Sequence, residues 1–232
     1  QKDQAMREIL FDTETTGFDP YSGDRLIEIG CVVMVDKIVQ KGEGATFHQY
    51  VNPERDVPDD AVRVHGITGE FLKDKPVFAE VARAFLEFVG DDSVLVAHNA
   101  DFDMKFINYE LEKVGFKALP SNRFLDTLAI ARGKFPGQAN SLDALCKRFD
   151  IDNGHRTLHG ALLDAEILAD VYIELTVGRQ AGMDLMVQRG GAGSQRVKKE
   201  RPHRSFPASG DELEAHKAFV KDELSTPLWF KD

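Results

Sequence analysis

The sequence is short of the features that mark several classes of protein. Its 232 residues include two cysteines, Cys31 and Cys146, and a single tryptophan, Trp229. The cysteines sit in apolar surroundings, with no Cys-x-x-Cys spacing. They read as buried free thiols, not as metal ligands or a disulfide, which suits a reducing cytoplasm. No stretch is long and apolar enough for a membrane-spanning helix, so no membrane partner is expected. The first eight residues are polar and carry no signal-peptide core. Basic charge is also scarce, with 29 Lys and Arg against 39 Asp and Glu, a net of −10. Affinity for phosphates normally comes from Lys and Arg. Either the ligand is not a polyanion, or bound metals and partner proteins supply the attraction. The 42% of hydrophobic residues is ordinary globular material, enough for one sizeable domain plus an appendage or for two small domains.

What is present begins with an apolar run, Ile9 to Phe11, inside a strand expected over residues 7 to 13. Residues 25 to 36 alternate and are rich in Val and Ile, so they read as a second strand. A polar turn at 37 to 44 leads to a third near 45 to 51, and short connections make the three antiparallel neighbours. A loop from Pro53 to Asp60 and a helical turn closed by Gly66 follow. Pro76 opens a helix to about Val89, with Val77, Val81, Ala84, Phe85 and Phe88 on one side. Strands at 93 to 97 and 123 to 126 then alternate with helices at about 101 to 114, to about 133, from Ser141 to about 149, and from His159 to near Gly178. Such a pattern is a mixed α/β sheet flanked by helices. Ligand sites in such sheets lie beyond the strand ends.

Asp12 and Glu14 fall two residues apart at the end of the first strand, where alternation aims both carboxylates to one face and leaves them exposed. Two like charges held side by side repel and lose hydration. Hard oxygen donors clustered in this way suit Mg²⁺ or Mn²⁺. The bland alternative is a pair of solvated acids at a strand end. Further along, His98-Asn99-Ala100-Asp101-Phe102-Asp103 follows a buried strand and opens a helix, and His159-Gly160-Ala161-Leu162-Leu163-Asp164 opens the last helix of the globular part. His159 and Asp164 are five residues apart. On one helix, at roughly 100° per residue, that would separate them by about 140°, so His159 is expected on the loop before the helix.

These three segments, FDTETTG at 11 to 17, HNADFD at 98 to 103 and HGALLD at 159 to 164, resemble the three motifs of the DEDDh family of 3′→5′ exonucleases. The resemblance covers about residues 7 to 178 and implies a ribonuclease H-like fold. More narrowly, VHGIT at 64 to 68, FLKDKPVF at 71 to 78 and RTLHGALLDAEILADVY at 156 to 172 are similar to the proofreading (epsilon) subunits of bacterial replicative DNA polymerase III. The resemblance implies that Asp12, Glu14, Asp103 and Asp164 hold two divalent cations. Asp12 would bridge them, Glu14 and Asp164 would complete one shell, and Asp103 would hold the other. Two ions about 4 Å apart stabilise both the attacking and the leaving oxygen of an in-line displacement. His159 is implied as the general base, a role that a neutral imidazole fills near pH 7. The family's second-motif acid follows the Phe, which selects Asp103; Asp101 reads as a solvated charge at a helix start. Asp60 and His65 match positions near the terminal nucleotide, although Asp60 stands where a Glu is familiar. Thr15, Thr16, Val64, Ile67 and Phe102 are expected to line a slot for the last base, with plain core as the alternative reading for the apolar members. The implied substrate is a DNA 3′ end, single-stranded or frayed. An exonuclease on RNA ends and a non-catalytic stabilising subunit of the polymerase are the rival readings.

The composition changes after Gly178. We expect an exonuclease domain over 1–180, a flexible linker over 181–207 and a polymerase-binding tail over 208–232. Gly190 to Ser194 is Gly-rich. The run 196 to 204 carries five basic side chains and one acid, to touch DNA or to keep the linker soluble. Gln180, Met183 and Leu185 resemble a short peptide that docks on the bacterial sliding clamp, one polar anchor with two apolar knobs; helix-end residues with no partner are the alternative. The last segment, with Leu213, Phe219, Leu228, Trp229 and Phe230, is too short for its own core. It resembles the epsilon tail that binds the polymerase alpha subunit and orders on binding. The polymerase and clamp would then hold the DNA, which answers the acidic net charge.

Overall fold

In the computed structural model the described residues are 6–154 and 158–178, with Gly210 and Glu214. The chain divides into two compact units, Gln1–Leu185 and Met186–Asp232, and all the elements described below lie in the first. That unit holds strands β1 (Arg7–Thr15), β2 (Leu26–Val35), β3 (Ile38–Val39), β4 (Thr46–Tyr50), β5 (Val94–Ala97) and β6 (Phe124–Asp126). Its helices are α1 (Asp59–His65), α2 (Gly69–Leu72), α3 (Phe78–Val89), α4 (Ala100–Lys113), α5 (Thr127–Lys134), α6 (Leu142–Phe149) and α7 (Ala161–Thr176). The candidate clamp-binding residues Gln180, Met183 and Leu185, and the candidate polymerase-binding residues Leu213, Phe219, Leu228, Trp229 and Phe230, lie outside the described residues.

One mixed sheet runs in the order β3-β2-β1-β5-β6, and β4 also pairs with β2. β2 is antiparallel to β1, β3 and β4, whereas β5 runs parallel to both β1 and β6. The expected three-strand antiparallel group therefore gains a two-residue strand, β3, inside what the sequence presented as a turn.

Alternation along β1 divides the core. Ile9 and Phe11 pack with Phe78, Phe85, Phe106 and Ile107 of α3 and α4. Leu10 packs with Ala165, Leu168 and Tyr172 of α7. Fully burying one such aromatic or aliphatic side chain contributes about 1.5–3 kcal/mol. A third cluster joins Ala131, Leu145 and Val171 of α5, α6 and α7. α3 departs from expectation at its edges. Val77 is the half-buried residue before the helix, and Ala84 faces solvent. The buried side is Phe78, Val81, Ala82, Phe85 and Val89, because the sheet residues Ile9, Phe11, Leu26 and Ile29 pack against that face of the helix. Cys31 and Cys146 are buried free thiols.

One close approach sets the position of α7. Gly30 of β2 lies under the start of α7, where a Cβ would overlap the backbone of Ala161 and Leu162. Two residues away on the same face, Glu28 Oε2 accepts from the Ala161 N–H at 3.1 Å, which satisfies one of the free donors of a helix start. Gly30 pairs with Asp12 in the register of the sheet. Gly30→Ala should therefore lift α7 away from the strand that carries Asp12. We expect a loss of about 1–3 kcal/mol of stability, as for an overpacked core, with weaker Mg²⁺ affinity. Unchanged unfolding and unchanged metal titration would show that the close approach is not needed.

Candidate active site

The site is built where β1 ends against α4 and α7. β1 runs to Thr15, two residues beyond expectation, so Glu14 is inside the strand and only 8% exposed. The expectation that Asp12 and Glu14 would both be exposed is thus corrected: Asp12 is half-buried and Glu14 buried, because β2 continues to pair alongside them. Asp12 and Glu14 alternate with Thr13. The Thr13 hydroxyl donates to Asp103 Oδ1 at 2.7 Å, so α4 brings its acid to the other side of the same strand. Asp103 is 3% exposed, whereas Asp101 is solvent-exposed.

From the third direction, α7 begins at Ala161 with Gly160 as its N-cap, so His159 sits on the preceding loop. The His159 N–H donates to the Val64 carbonyl at 3.1 Å, which ties this loop to α1. Its imidazole Nδ1 lies 3.2 Å from Asp164 Oδ2, with the ring 46% exposed and the carboxylate 4% exposed. One donor atom each from Glu14, His159 and Asp164 lie within 4.8 Å of one another. Asp12, Glu14, Asp103, His159 and Asp164 all line one cavity of about 760 Å³.

A smaller cavity of about 350 Å³ adjoins it and is lined by Thr15, Thr16, Asp60, Val64, His65 and Phe102 among others. Ile67, expected in the slot, is not there. It packs with Ile27 and Leu72 beneath α1 and α2, since the left-handed turn at Gly66 (φ 75°) reverses the chain after α1. Phe102 lines each cavity and packs against Phe106 with ring centroids 5.0 Å apart. The Asp60 side chain is 88% exposed and pairs with Arg63. His65 is buried, and its Nδ1 accepts from the Ile67 N–H at 3.0 Å. Burial holds the His65 imidazole below its ordinary pKa, opposed by the Thr15 backbone, with His159 adding to the lowering.

The charges favour a cation. Burial pushes Asp103 up to about 7, against the hydrogen bond from Thr13 and with help from the neighbouring Asp126 carboxylate. Glu14 lies directly opposite Glu28 across the β1–β2 ladder, and both are buried. Like charges so placed destabilise a sheet. Glu28 is relieved by His48 Nε2 at 2.6 Å and by the Ala161 N–H. Glu14, Asp164 and His159 together offer donors that could hold a divalent ion.

Several residues that build this site escaped sequence reasoning. Asp126 Oδ1 accepts from the N–H groups of Asn99, Ala100 and Leu128 at 2.8, 3.4 and 2.9 Å, so one carboxylate serves the starts of α4 and α5. Asn99 takes a left-handed conformation (φ 74°) at that turn. Glu28 and His48 carry α7. Their visible signal was an acid at an inward position of an otherwise apolar strand.

Residues 9–172 match the family model described as exonuclease. Over 230 residues, 49% are identical to DNA polymerase III subunit epsilon of Rickettsia felis, covering 96% of this chain and 99% of that protein. The chain belongs to the exonuclease family, among the DNA polymerase III epsilon subunits. The Escherichia coli protein of that name is 45% identical, with 96% and 97% covered. Among solved structures, exonuclease I shares this exonuclease's fold with a TM-score of 0.65 at 19% identity, over 76% of this chain and 42% of that one. Exonuclease X in complex with 5′ overhanging duplex DNA gives a TM-score of 0.55 at 25% identity, over 75% and 93%.

The Asp103 shift has a sign that can be checked. A carboxyl at about 7 in the fold and 3.8 ordinarily binds its proton more tightly when folded. Metal-free protein should therefore lose this part of its stability as pH rises from about 4 to about 7. In chelator, the melting temperature of Asp103→Asn relative to the unaltered protein should rise across that window. Mg²⁺ at pH 8 should stabilise the unaltered protein more. A pH-independent difference, or equal stabilisation by Mg²⁺, would contradict the assignment of Asp103 as a buried ligand.

Proposed function

We propose that this exonuclease removes mispaired nucleotides from DNA 3′ ends as the proofreading subunit of a bacterial replicase. The observation that carries the reading is the meeting of four carboxylates and His159 in one cavity beside a slot of one-nucleotide scale. The names of its relatives support the polymerase role, and exonuclease X with its DNA supports the substrate class. A mispaired terminus unpairs at low cost, so a single-strand slot selects frayed ends. Stacking on Phe102 and Val64 tolerates any base.

Asp12, Glu14, Asp103 and Asp164 would hold two divalent cations, Mg²⁺ or Mn²⁺. Such ions, when bound, stabilise the charge that develops on the attacking and leaving oxygens. The protein supplies position and a proton acceptor. Asp164 Oδ2 orients the His159 ring through Nδ1, and we assign Nε2 to the proton of the attacking water. Thr13 fixes the Asp103 carboxylate. Thr15, Thr16 and His65 shape the slot for the terminal nucleotide, with Asp60 at its rim.

The domain plan of 1–180, 181–207 and 208–232 belongs to the same proposal. The tail residues Leu213, Phe219, Leu228, Trp229 and Phe230 would dock on the polymerase alpha subunit. Gln180, Met183 and Leu185 would dock on the sliding clamp. We assign the protein to the bacterial cytoplasm, where the DNA it would proofread is replicated. No helix among the described residues is long and apolar enough to cross a membrane.

The test is digestion of 5′-labelled single-stranded DNA, mispaired DNA and RNA with Mg²⁺, Mn²⁺ or chelator. We expect 3′ mononucleotide release from DNA that chelator stops. His159→Ala should keep the fold and lose about 10²–10⁴ of the rate, and Asp12→Ala should abolish it. Activity in chelator would end the metal scheme. Near-full turnover by His159→Ala would remove the base, and a preference for RNA would move the enzyme to the rival substrate.

A further inference from the structure

The two cavities meet at Thr13, Glu14 and Phe102. If the terminal nucleotide occupies the smaller one, the bond to be broken lies over the carboxylates. The preceding nucleotide must then lie in the larger cavity. The far wall of that cavity is formed by Leu128 and Arg132 of α5, by Gln138 and Asn140 of the following loop, and by Ser141 before α6. Among the described residues, and apart from the histidines, Arg132 is the sole basic residue of the lining, in a cavity that otherwise holds four acids.

The wall is built in advance. His98 spans it, with Nδ1 2.9 Å from the Thr127 hydroxyl and Nε2 2.9 Å from the Asn140 carbonyl oxygen. The Asn140 amide donates to the carbonyls of Phe135 and Gln138 at 3.1 and 3.0 Å. Arg148 donates to Asn140 Oδ1, Gln138 Oε1 and the Ala139 carbonyl at 3.2, 3.0 and 2.9 Å, and stacks over Phe135. Arg148 is thus used up inside the loop. Arg132, one helix away, is solvent-exposed and makes no hydrogen bond or ion pair among the described residues. A guanidinium left to solvent on a wall this ordered, facing an acidic centre, is placed to take up a phosphate with its fork of donors.

We propose that Arg132 binds a backbone phosphate of the strand on the 5′ side of the scissile bond, making the larger cavity a subsite for the nucleotides before the terminal one. This rests on the exonuclease reading and names the part of the substrate that reading leaves open. The ligand class is a single-stranded polynucleotide at least two nucleotides long. Arg132 also supplies a local answer to the acidic net charge, since the strand meets a cation where it leaves the carboxylates.

The experiment compares two substrates of the full chain with Mg²⁺. One is a 5′-labelled oligothymidylate. The other is the nitrophenyl ester of thymidine 5′-monophosphate, which has a scissile phosphodiester and no upstream phosphate. Arg132→Ala should lower the ratio of kcat/KM, oligonucleotide over ester, by about tenfold, the scale of one charge-assisted hydrogen-bonded contact. The loss should appear in KM. The slope of log kcat/KM against log salt for the oligonucleotide should flatten by about 0.7, one phosphate's worth on a single strand. Arg132→Lys should keep the slope and recover part of the ratio. An unchanged ratio overturns the proposal. An equal loss on both substrates also overturns it, because Arg132 would then act on the centre itself. Hydrolysis of neither substrate by the unaltered protein overturns the exonuclease reading and this one together.

Discussion

The start of α7 rests on the bare backbone of Gly30, and most of the site depends on that approach. A side chain at Gly30 would hold the helix off the sheet. With none there, Ala161 comes close enough for Glu28 to accept its N–H. The same helix start delivers Asp164 and ends the loop that carries His159. Gly30 lies in register with Asp12 on one side and His48 on the other, while Glu28 lies in register with Glu14. Asp12 and Glu14 therefore line a cavity beside a helix terminus. His48 steadies Glu28, so a chain of contacts from the outer strand β4 reaches the centre.

The second constraint is charge. Asp103, Asp164 and Glu14 are all buried, and for Asp103 burial disfavours the ionised form. Thr13 donates to Asp103, and His159 lies beside Asp164. A cluster of buried carboxylates of this kind is suited to divalent ions. The pairing of Asp126 with two helix starts shows a different treatment, with one carboxylate oxygen holding backbone N–H groups. Carboxylates in one small region thus divide into those that build the frame and those aimed into the cavity. Arg148 and Arg132 divide in the same way, one consumed by the loop and one turned to the opening.

Much of this was legible beforehand because local rules act on local sequence. The serine cap of α6 and the stop at Gly66 follow from neighbours a few residues apart, and both are where the sequence put them, whereas β2 stands at its expected place but is buried on both faces instead of alternating. His159 before α7 followed from the turn angle of a helix. The misses share one cause. β1 continues through Glu14 because β2 pairs with it there. Ile67 enters the core because α1 and α2 fold over it. Ala84 faces solvent because the rotation of α3 is set by the sheet beneath. In each case a distant segment decided an ambiguous local choice.

The sequence alone determined the chemistry available: which residues can hold a cation, which can take a proton, and the order of strands and helices that carry them. It did so because motif spacing and side-chain periodicity are properties of the chain itself. The tertiary structure decided which of those residues face one cavity, and how deeply each carboxylate is buried. It also decided that Gly30, Glu28, Asp126 and Arg132 matter, since their roles consist of contacts or vacant surfaces made by segments far apart in the chain. Distances through space, and the dielectric that folding creates around a charge, do not exist until the segments meet.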